Sequence, residues 1–193
     1  MATKRGIYKS HRGFKPGQGL PTISKDLDSV RAYQFEVHFQ SLDPVSDFKE
    51  ALTLAAKQVS PLGMTADDIP VDRVNDKVFY PGKVTPVEAT ITFDNLYKAD
   101  VAGSLWSWFG SVYDPITGEF DSGADDYKAN RMEIIHLDNL MTPLASTSLY
   151  GVYPKSWKTS EFNYSTNEFH TLEVVFRYDF MQHDGHQNNA IGS

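Results

Sequence analysis

Alternation of apolar and polar residues is the strongest pattern in the chain, and it is clearest in two segments, one starting at residue 33 and one ending at residue 180. Residues Tyr33 to Phe39 place an aromatic or aliphatic side chain at every second position. Thr171 to Phe180 repeat the pattern, with Leu172, Val174, Phe176, Tyr178 and Phe180 on one side. A period of two is typical of a strand that buries one face, so both segments are predicted strands.

Further β-strands are predicted between these two. They cover Leu52–Val59, Val71–Tyr80, Val87–Phe93, Arg131–Leu137 and Leu149–Trp157. Pro81-Gly82 is a turn pair that predicts a hairpin between the second and third of these segments, and Pro143 and Gly151 predict bends. The centre of the first segment, Ala55-Ala56-Lys57, suits a helix about as well by propensity alone.

One segment changes to a helical period. Val101, Leu105, Trp108, Phe109 and Val112 recur on one helical face, which predicts a helix from Asp100 to Val112. Asp100 is placed to cap its start. The elements together predict a mainly β protein: an antiparallel β-sandwich or partial barrel with one α-helix.

The two ends of the chain lack these patterns. Residues 1–31 are predicted to be an extended arm, residues 32–181 the β domain, and residues 182–193 a flexible tail. The first twenty residues carry five cations and no acid, whereas the whole chain has a net charge of −7. The body, residues 21–193, therefore has a net charge of −12, so it should repel nucleic acid while the arm attracts acidic surfaces.

Bulk composition sets the remaining limits. With 193 residues and 40% hydrophobic content, the chain can fill one core. The absence of cysteine excludes disulfides, thiolate metal sites and cysteine nucleophiles. No apolar run reaches bilayer length, and the basic start lacks the hydrophobic segment of a signal peptide, so we expect no membrane anchor and synthesis in the cytoplasm.

The order of several short motifs resembles the tail tube proteins of contractile-tailed bacteriophages, a family related in fold to the type VI secretion tube protein. The resemblance runs from about Tyr33 to Phe180, leaving the arm and the tail uncovered. Its pieces, in chain order, begin at Tyr33-Gln34-Phe35, Gln58-Val59-Ser60-Pro61-Leu62-Gly63, Ile69-Pro70-Val71, Val78-Phe79-Tyr80-Pro81-Gly82, Val87-Glu88-Ala89, Leu105-Trp106-Ser107-Trp108-Phe109, Leu149-Tyr150-Gly151, Tyr164-Ser165-Thr166-Asn167 and Val174-Val175-Phe176.

The resemblance implies a structural protein of the virion rather than an enzyme. In that family six copies close a ring in which strands of every subunit join one inner barrel, and the rings stack into a tube for DNA. The implied partners are further copies of the chain, the tail sheath protein, baseplate and tail-terminator proteins, and the tape-measure protein and DNA in the channel. The implied location is the phage tail. Closure of the ring would also remove the unpaired edges of an open sheet.

Residues that could carry chemistry have simpler structural interpretations. His183, Asp184 and His186 could hold a metal but lie in the predicted tail, and His38 and His136 lie on strands among apolar neighbours. The acidic pairs Asp67-Asp68 and Asp125-Asp126 are predicted in solvated loops. No phosphate-binding loop or nucleophile elbow is present, and no cofactor is expected.

Assembly contacts are the sites that the sequence favours. Trp106 lies on a different helical side from Trp108, so it is a candidate for a subunit interface. Lys4, Arg5, Lys9 and Arg12 are candidates for contact with the acidic body of an adjacent ring, although a disordered solubilising arm or nucleic-acid binding explains the same charges. Asp67, Asp68 and Glu88 are candidate acids of the channel or of loops.

Two other functions fit the same sequence. A phage-derived injection particle without DNA, such as a tailocin, would use the same tube. A β-sandwich that binds surface glycans, with Trp106 and Trp157 as stacking platforms, belongs to a different class. Sizing separates this last alternative, because a glycan-binding module would stay small in solution.

Overall fold

The computed structural model describes residues 30–40, 49–120, 123, 127–138, 140–165 and 167–185. The described residues from Phe35 onward belong to one compact unit, and the described residues 30–34 belong to a separate N-terminal unit. The predicted boundaries at 31 and 181 remain predictions. Residues 1–29 of the predicted arm and residues 186–193 of the predicted tail lie outside the described residues.

Strands dominate the described structure. They are β1 Phe35–Gln40, β2 Ala56–Val59, β3 Met64–Asp72, β4 Lys77–Pro86, β5 Ala89–Asp94, β6 Ala129–Leu137, β7 Pro143–Thr159, β8 Thr171–Arg177 and β9 Phe180–Asp184. Two helices lie among them, α1 Lys49–Ala55 and α2 Val101–Val112. All ladders between the described strands are antiparallel, which confirms the predicted mainly β, antiparallel fold.

Strand β7 is long enough to belong to two sheets. Its first part, as far as Val152, pairs with β6 on one side and β9 on the other, and β6 pairs with β1. Its second part, from Tyr153, pairs with β8, which continues to β5 and β2. We call β1-β6-β7-β9 the first sheet and β7-β8-β5-β2 the second sheet. Gly151, at φ +65°, stands just before the change of sheet.

The core is formed by the apolar side chains that alternate inward along both sheets, together with residues of the two helices. Its largest fully buried members are Trp108, Phe93, Phe176, Leu52, Ile91, Leu105, Met132, Leu149, Leu172 and Val37. Trp108 lies edge-on to Phe39 of the first sheet and 5.3 Å, between ring centres, from Phe176 of the second. Helix α2 thus joins the two sheets through one indole ring.

The predicted helix is confirmed with its cap. Helix α2 runs from Val101 to Val112, and the Asp100 carboxylate accepts a hydrogen bond of 2.8 Å from the backbone N–H of Gly103. This is the N-cap arrangement that short polar side chains provide. Among the described residues, no helix combines the length and apolar character that crossing a bilayer requires.

The predicted strand Leu52–Val59 is wrong in its first half. Residues Lys49–Ala55 form helix α1, with Leu52 and Ala55 buried, and only Ala56–Val59 form a strand. The helix-forming residues Leu52, Leu54 and Ala55 favour the helix, and Leu52 buries its side chain in the core. The described structure therefore has two helices, whereas the sequence pattern predicted only one.

The predicted hairpin is also misplaced. The chain reverses at residues 73–76 rather than at Pro81-Gly82, which lies inside β4. Strand β4 pairs with β3, and β5 pairs with β2 and β8 instead. The ladder shifts register between Ala66 and Asp68, a β-bulge. A Cβ at position 82 would lie 2.9 Å from the Asp67 carbonyl oxygen, so the glycine allows this close approach.

The last predicted strand divides into two. Strand β8 ends at Arg177, and β9 begins at Phe180 and runs to Asp184, beyond the predicted end of the domain. Tyr178 remains buried, but Phe180 is exposed and stacks on Tyr150, with ring centres 4.6 Å apart. The prediction that Phe180 faces the core is therefore wrong, because the chain changes sheets between the two residues.

Candidate assembly surfaces

The first sheet has two open edges. Strand β1 pairs only with β6 and β9 only with β7 among the described residues, so both outer edges carry unpaired backbone groups. The four strands alternate in direction, so β1 and β9 run in opposite directions. An edge-to-edge meeting of β9 with β1 of a second copy is therefore antiparallel, like every ladder between the described strands.

The outward side of the first sheet is polar. Residues directly opposite one another share a face, so the ladders define this side in full. We call it the polar face, and its members are Glu36, His38, Gln40, Arg131, Glu133, Ile135, Ser146, Ser148, Tyr150, Phe180, Gln182 and Asp184. A shallow groove of about 290 Å³ runs over part of it, between Arg131 and Gly185. The face contains no lysine.

The one arginine of the polar face is held in place. The Arg131 guanidinium lies 2.9 Å from a Glu133 carboxylate oxygen and donates two hydrogen bonds, of 3.1 and 2.8 Å, to the Ser148 hydroxyl. It also lies over the Tyr150 ring, 6.0 Å from the ring centre. The Glu133 side chain is only 14% exposed, so this pair is shielded from solvent more than an ordinary surface ion pair.

Strands β3 and β4 form a separate two-stranded sheet, which we call the hairpin. Its residues are almost all exposed, and one side is apolar: Ile69 opposes Tyr80 and Val71 opposes Val78. Ile69 and Tyr80 are 53% and 51% exposed. A two-stranded hairpin is marginally stable alone, and exposed apolar surface of this kind marks an interaction site.

The outward side of the second sheet carries mixed charge. Lys57 pairs with Asp94 at 3.1 Å, and Glu88 lies between Lys155 and Arg177. The hydrogen bond from Lys155, together with the two positive charges, lowers the pKa of Glu88 below its usual value. The negative charge of Glu88, a candidate acid of the channel, is thus balanced by two cations of its own chain, Lys155 and Arg177.

Trp106 is half exposed, with 46% of its surface accessible, and meets Trp157 edge-to-face at 5.3 Å between ring centres. It also stacks on Phe109, at 5.9 Å. The Trp157 indole nitrogen is buried and has no hydrogen-bond partner. Because the two tryptophans cover each other, they do not form the two open platforms that a glycan site would need. Trp106 keeps enough exposed surface for a subunit contact, which stays a prediction.

The remaining candidate residues are dispersed. Asp67 and Asp68 lie in strand β3 at the bulge, not in a loop as predicted, and are on the hairpin rather than beside Glu88. Lys4, Arg5, Lys9 and Arg12, and the pair Asp125-Asp126, lie outside the described residues. The structure therefore does not gather the predicted acids into one site.

Several of the described histidines have a polar partner within the fold. His183 lies on β9, 2.9 Å from the Thr147 hydroxyl, and His38 lies 2.9 Å from Glu36. His136 lies on β6 opposite Phe35. In the part of the chain that the structure describes, no three His, Asp or Glu side chains are grouped as metal ligands, and His186 lies outside it.

Sequence reasoning missed the apolar side of the hairpin and the free edge at β9. The hairpin signal was present, because Ile69, Val71, Val78 and Tyr80 are apolar around a reversal at residues 73–76. The edge had no such signal. Phe180 to Asp184 have two apolar residues followed by three polar ones rather than an alternation, and they pair with Ser146–Tyr150, thirty or more positions earlier in the chain.

Comparison with known proteins shows which solved structures share this fold. No protein-family model matches the chain, and no curated protein matches its sequence. Among solved structures, the anti-feeding prophage cap, described as the AFP tube terminating cap, has a TM-score of 0.65 at 14% identity, covering 89% of this chain and 99% of that one.

Two chains of an extracellular contractile injection system, PVC, also match. One is from its sheath-tube complex in the extended state, with a TM-score of 0.64 at 16% identity over 85% of this chain and 99% of that one. The other is from its sheath/tube terminator, with 0.65 at 16% over 82% and 98%. The chain has the fold of these contractile injection proteins, as the resemblance of its motifs predicted, and at such identities the likeness concerns the fold alone.

Proposed function

We propose that this chain is the tube subunit of a contractile tail. Copies close into rings, the rings stack into a rigid tube, and a surrounding sheath drives that tube through a bacterial envelope so that DNA passes along its channel. The observation that carries the proposal is the first sheet, whose open edges β1 and β9 run in opposite directions. If β9 of one copy pairs with β1 of the next, the antiparallel sheet continues from copy to copy. No edge is left unpaired once the ring closes.

The hairpin supplies the second contact that a tube needs. Ring closure satisfies the edges of the first sheet but leaves the apolar side of the hairpin, centred on Ile69 and Tyr80, exposed. Burying it against a neighbouring copy in the same or the next ring would stabilise the stack through the hydrophobic effect. Six copies per ring, and contacts with sheath, baseplate, tail-terminator and tape-measure proteins, are parts of the proposal that the shared fold supports. The tube would act in the virion, after synthesis in the host cytoplasm.

A tube that carries no DNA is the second candidate. It is supported by the fold, because the matched PVC chains come from an extracellular contractile injection system. A glycan-binding module is less well supported, since Trp106 and Trp157 pack against each other.

Purified protein should form rings or long filaments. We expect sedimentation to show species far larger than the 21.7 kDa chain, and negative-stain electron microscopy to show rings or tubes with a central channel. A protein that stays monomeric at high concentration, in buffers from low to moderate salt, would contradict the proposal and favour a binding module.

Replacing Ile69 by Asp should weaken tube assembly without unfolding the body. The side chain is half exposed and lies outside the core, so we expect the free energy of unfolding to change by no more than about 0.5 kcal/mol. A charge on the apolar side of the hairpin should nevertheless shorten tubes at least tenfold in length. Ile116, which is 92% exposed on a loop after α2, provides the matched control Ile116→Asp. Equal tube lengths for both variants would exclude the hairpin from the contact.

Removing residues 1–20 tests the basic arm. If Lys4, Arg5, Lys9 and Arg12 cross to the acidic body of an adjacent ring, the truncated chain should form shorter or weaker tubes. The difference from the full chain should shrink as salt increases, because added ions screen the attraction. Assembly that is the same with and without the arm across a salt series would leave it as a solubilising segment.

A further inference from the structure

The hairpin is held together by its own contacts. Its strands β3 and β4 pair with each other and with no other described strand. The hydrogen bond from the Thr65 hydroxyl to the Thr85 carbonyl oxygen and the ion pair of Lys77 with Asp72 also lie within it. These contacts give the hairpin its shape, but they do not set its direction relative to the first and second sheets.

One carbonyl group joins both ends of the hairpin to the rest of the fold. Gly63 immediately precedes β3, and Val87 immediately follows β4. The Gly63 carbonyl oxygen accepts a 2.9 Å hydrogen bond from the Val87 backbone N–H and a 3.0 Å hydrogen bond from the Tyr178 hydroxyl. A carbonyl oxygen has two lone pairs, and these two donors use both. The base of the hairpin is therefore closed, and tied to Tyr178, at a single atom.

Tyr178 supports this contact from within the core. The residue is buried, packs in the core cluster, and lies in the two-residue connection by which the chain passes from β8 to β9. Its hydroxyl oxygen is also 3.8 Å from the Met181 sulfur on β9. Burial raises the pKa of the Tyr178 hydroxyl above its usual value, so the group remains a hydrogen-bond donor at neutral pH. The side chain that holds the hairpin base is thus fixed by the core and adjoins the open edge strand β9.

A small change of angle at the base has a large effect farther along the hairpin. The nine residues of β3 extend about 30 Å at about 3.3 Å per residue, so a rotation of about 10° at the base moves the tip by about 5 Å. Apolar side chains are in contact only within about 4.5 Å, so a shift of this size would misalign the apolar side of the hairpin with any surface that receives it.

We infer that Tyr178 is a positioning residue: its hydroxyl fixes the direction in which the hairpin presents Ile69 and Tyr80 to a neighbouring copy. The inference rests on the proposed tube function and adds the residue that sets the hairpin contact. It assigns Tyr178 no contact with the neighbouring copy, because the side chain is buried and acts through the Gly63 carbonyl.

Spin labels can measure the direction of the hairpin, because the chain contains no cysteine. Phe79→Cys on the hairpin with Lys158→Cys on the second sheet reports that direction, and Gln182→Cys with Lys158→Cys is a reference pair that omits the hairpin. In the unassembled chain, double electron–electron resonance should give distance distributions of similar width for both pairs. Tyr178→Phe, which removes only the hydroxyl, should widen the first at least twofold and leave the second unchanged. Tyr164→Phe, at an exposed tyrosine, is the matched control and should change neither.

Restoring the donor separates positioning from a general loosening of the core. With 4-aminophenylalanine at position 178, an amino group replaces the hydroxyl, and the narrow distribution should return. A wide hairpin distribution in the unsubstituted chain, an unchanged one in Tyr178→Phe, or failure of the amino group to restore it would each overturn the positioning role. None of these measurements requires assembly.

Tube length tests whether the direction of the hairpin matters for stacking. Sedimentation should show that Tyr178→Phe forms rings at a protein concentration within twofold of the unsubstituted chain, since β1 and β9 keep their backbone edges. Electron micrographs should show tubes at least tenfold shorter. Tubes of unchanged length would overturn the inference. Absence of both rings and tubes from the unsubstituted chain would instead contradict the proposed function, and the distance distributions would still decide whether Tyr178 directs the hairpin.

Discussion

Trp108→Ala should be among the most destabilising single substitutions in this chain. The side chain is fully buried, contacts Phe39 and Phe176 in two different sheets, and donates a 2.8 Å hydrogen bond from its indole nitrogen to the Tyr127 carbonyl oxygen. Truncation would leave a large cavity and an unpaired carbonyl. We expect a loss of about 3–5 kcal/mol in the free energy of unfolding, measured by urea denaturation of unassembled protein.

Trp106→Ala is the matched control, two residues along the same helix. Its side chain is 46% exposed, and its ring contacts are with Phe109 and Trp157. We expect this variant to lose about 1 kcal/mol or less, since only part of the area is returned to water. If the two variants were equally stable, the assignment of Trp108 to the centre of the core would be wrong.

The contrast between these tryptophans was available from the sequence, because it depends on the helical period alone. Asp100 and the face formed by Val101, Leu105 and Trp108 are local signals, and the structure confirms both. The alternating strands behave similarly where one face is buried, as in β5, in which Ala89, Ile91 and Phe93 are all buried. Burial on one side imposes the period that the pattern detects.

Local sequence signals gave wrong predictions where strand pairing depends on residues elsewhere in the chain. Pro81-Gly82 has the composition of a turn, yet β3 continues alongside it, and the bulge opposite Gly82 absorbs the irregularity. The helix at Lys49–Ala55 is too short for a clear period, so the balance of propensities did not identify it. The open edges of β1 and β9 follow from the full strand order, which no local pattern contains.

The candidate surfaces show the same contrast between features that local sequence predicts and features that depend on distant residues. The exposure of Trp106 was predicted from its helical position, whereas the neutralisation of Glu88 depends on Lys155 and Arg177, about seventy and ninety positions away. The sequence left Glu88 as a candidate acid of the channel or of a loop, because both of its cationic partners are distant in sequence. On the polar face, likewise, Arg131 and Ser148 meet only because β6 and β7 are paired.

Gly151→Ala should be strongly destabilising for a different reason. The residue has φ +65°, a conformation that costs an L-residue about 1–2 kcal/mol. An added Cβ would also overlap the Asp179 carboxylate, which is held by two 2.9 Å contacts with the Lys128 ammonium. Displacing that carboxylate should add about 1–3 kcal/mol, as in other overpacked sites. Gly110→Ala is the control: it lies in α2, has open space around its Cβ position, and should stabilise the helix by up to about 1 kcal/mol.

A double-mutant cycle separates the two causes at Gly151. Asp179→Ala removes the group that a Cβ would overlap, so adding Gly151→Ala to it should cost only the backbone part, about 1–2 kcal/mol. The same substitution in the unsubstituted chain should cost clearly more. Equal costs in both backgrounds would show that Asp179 moves aside freely, and that the bend of β7 between the two sheets depends on glycine through its backbone alone.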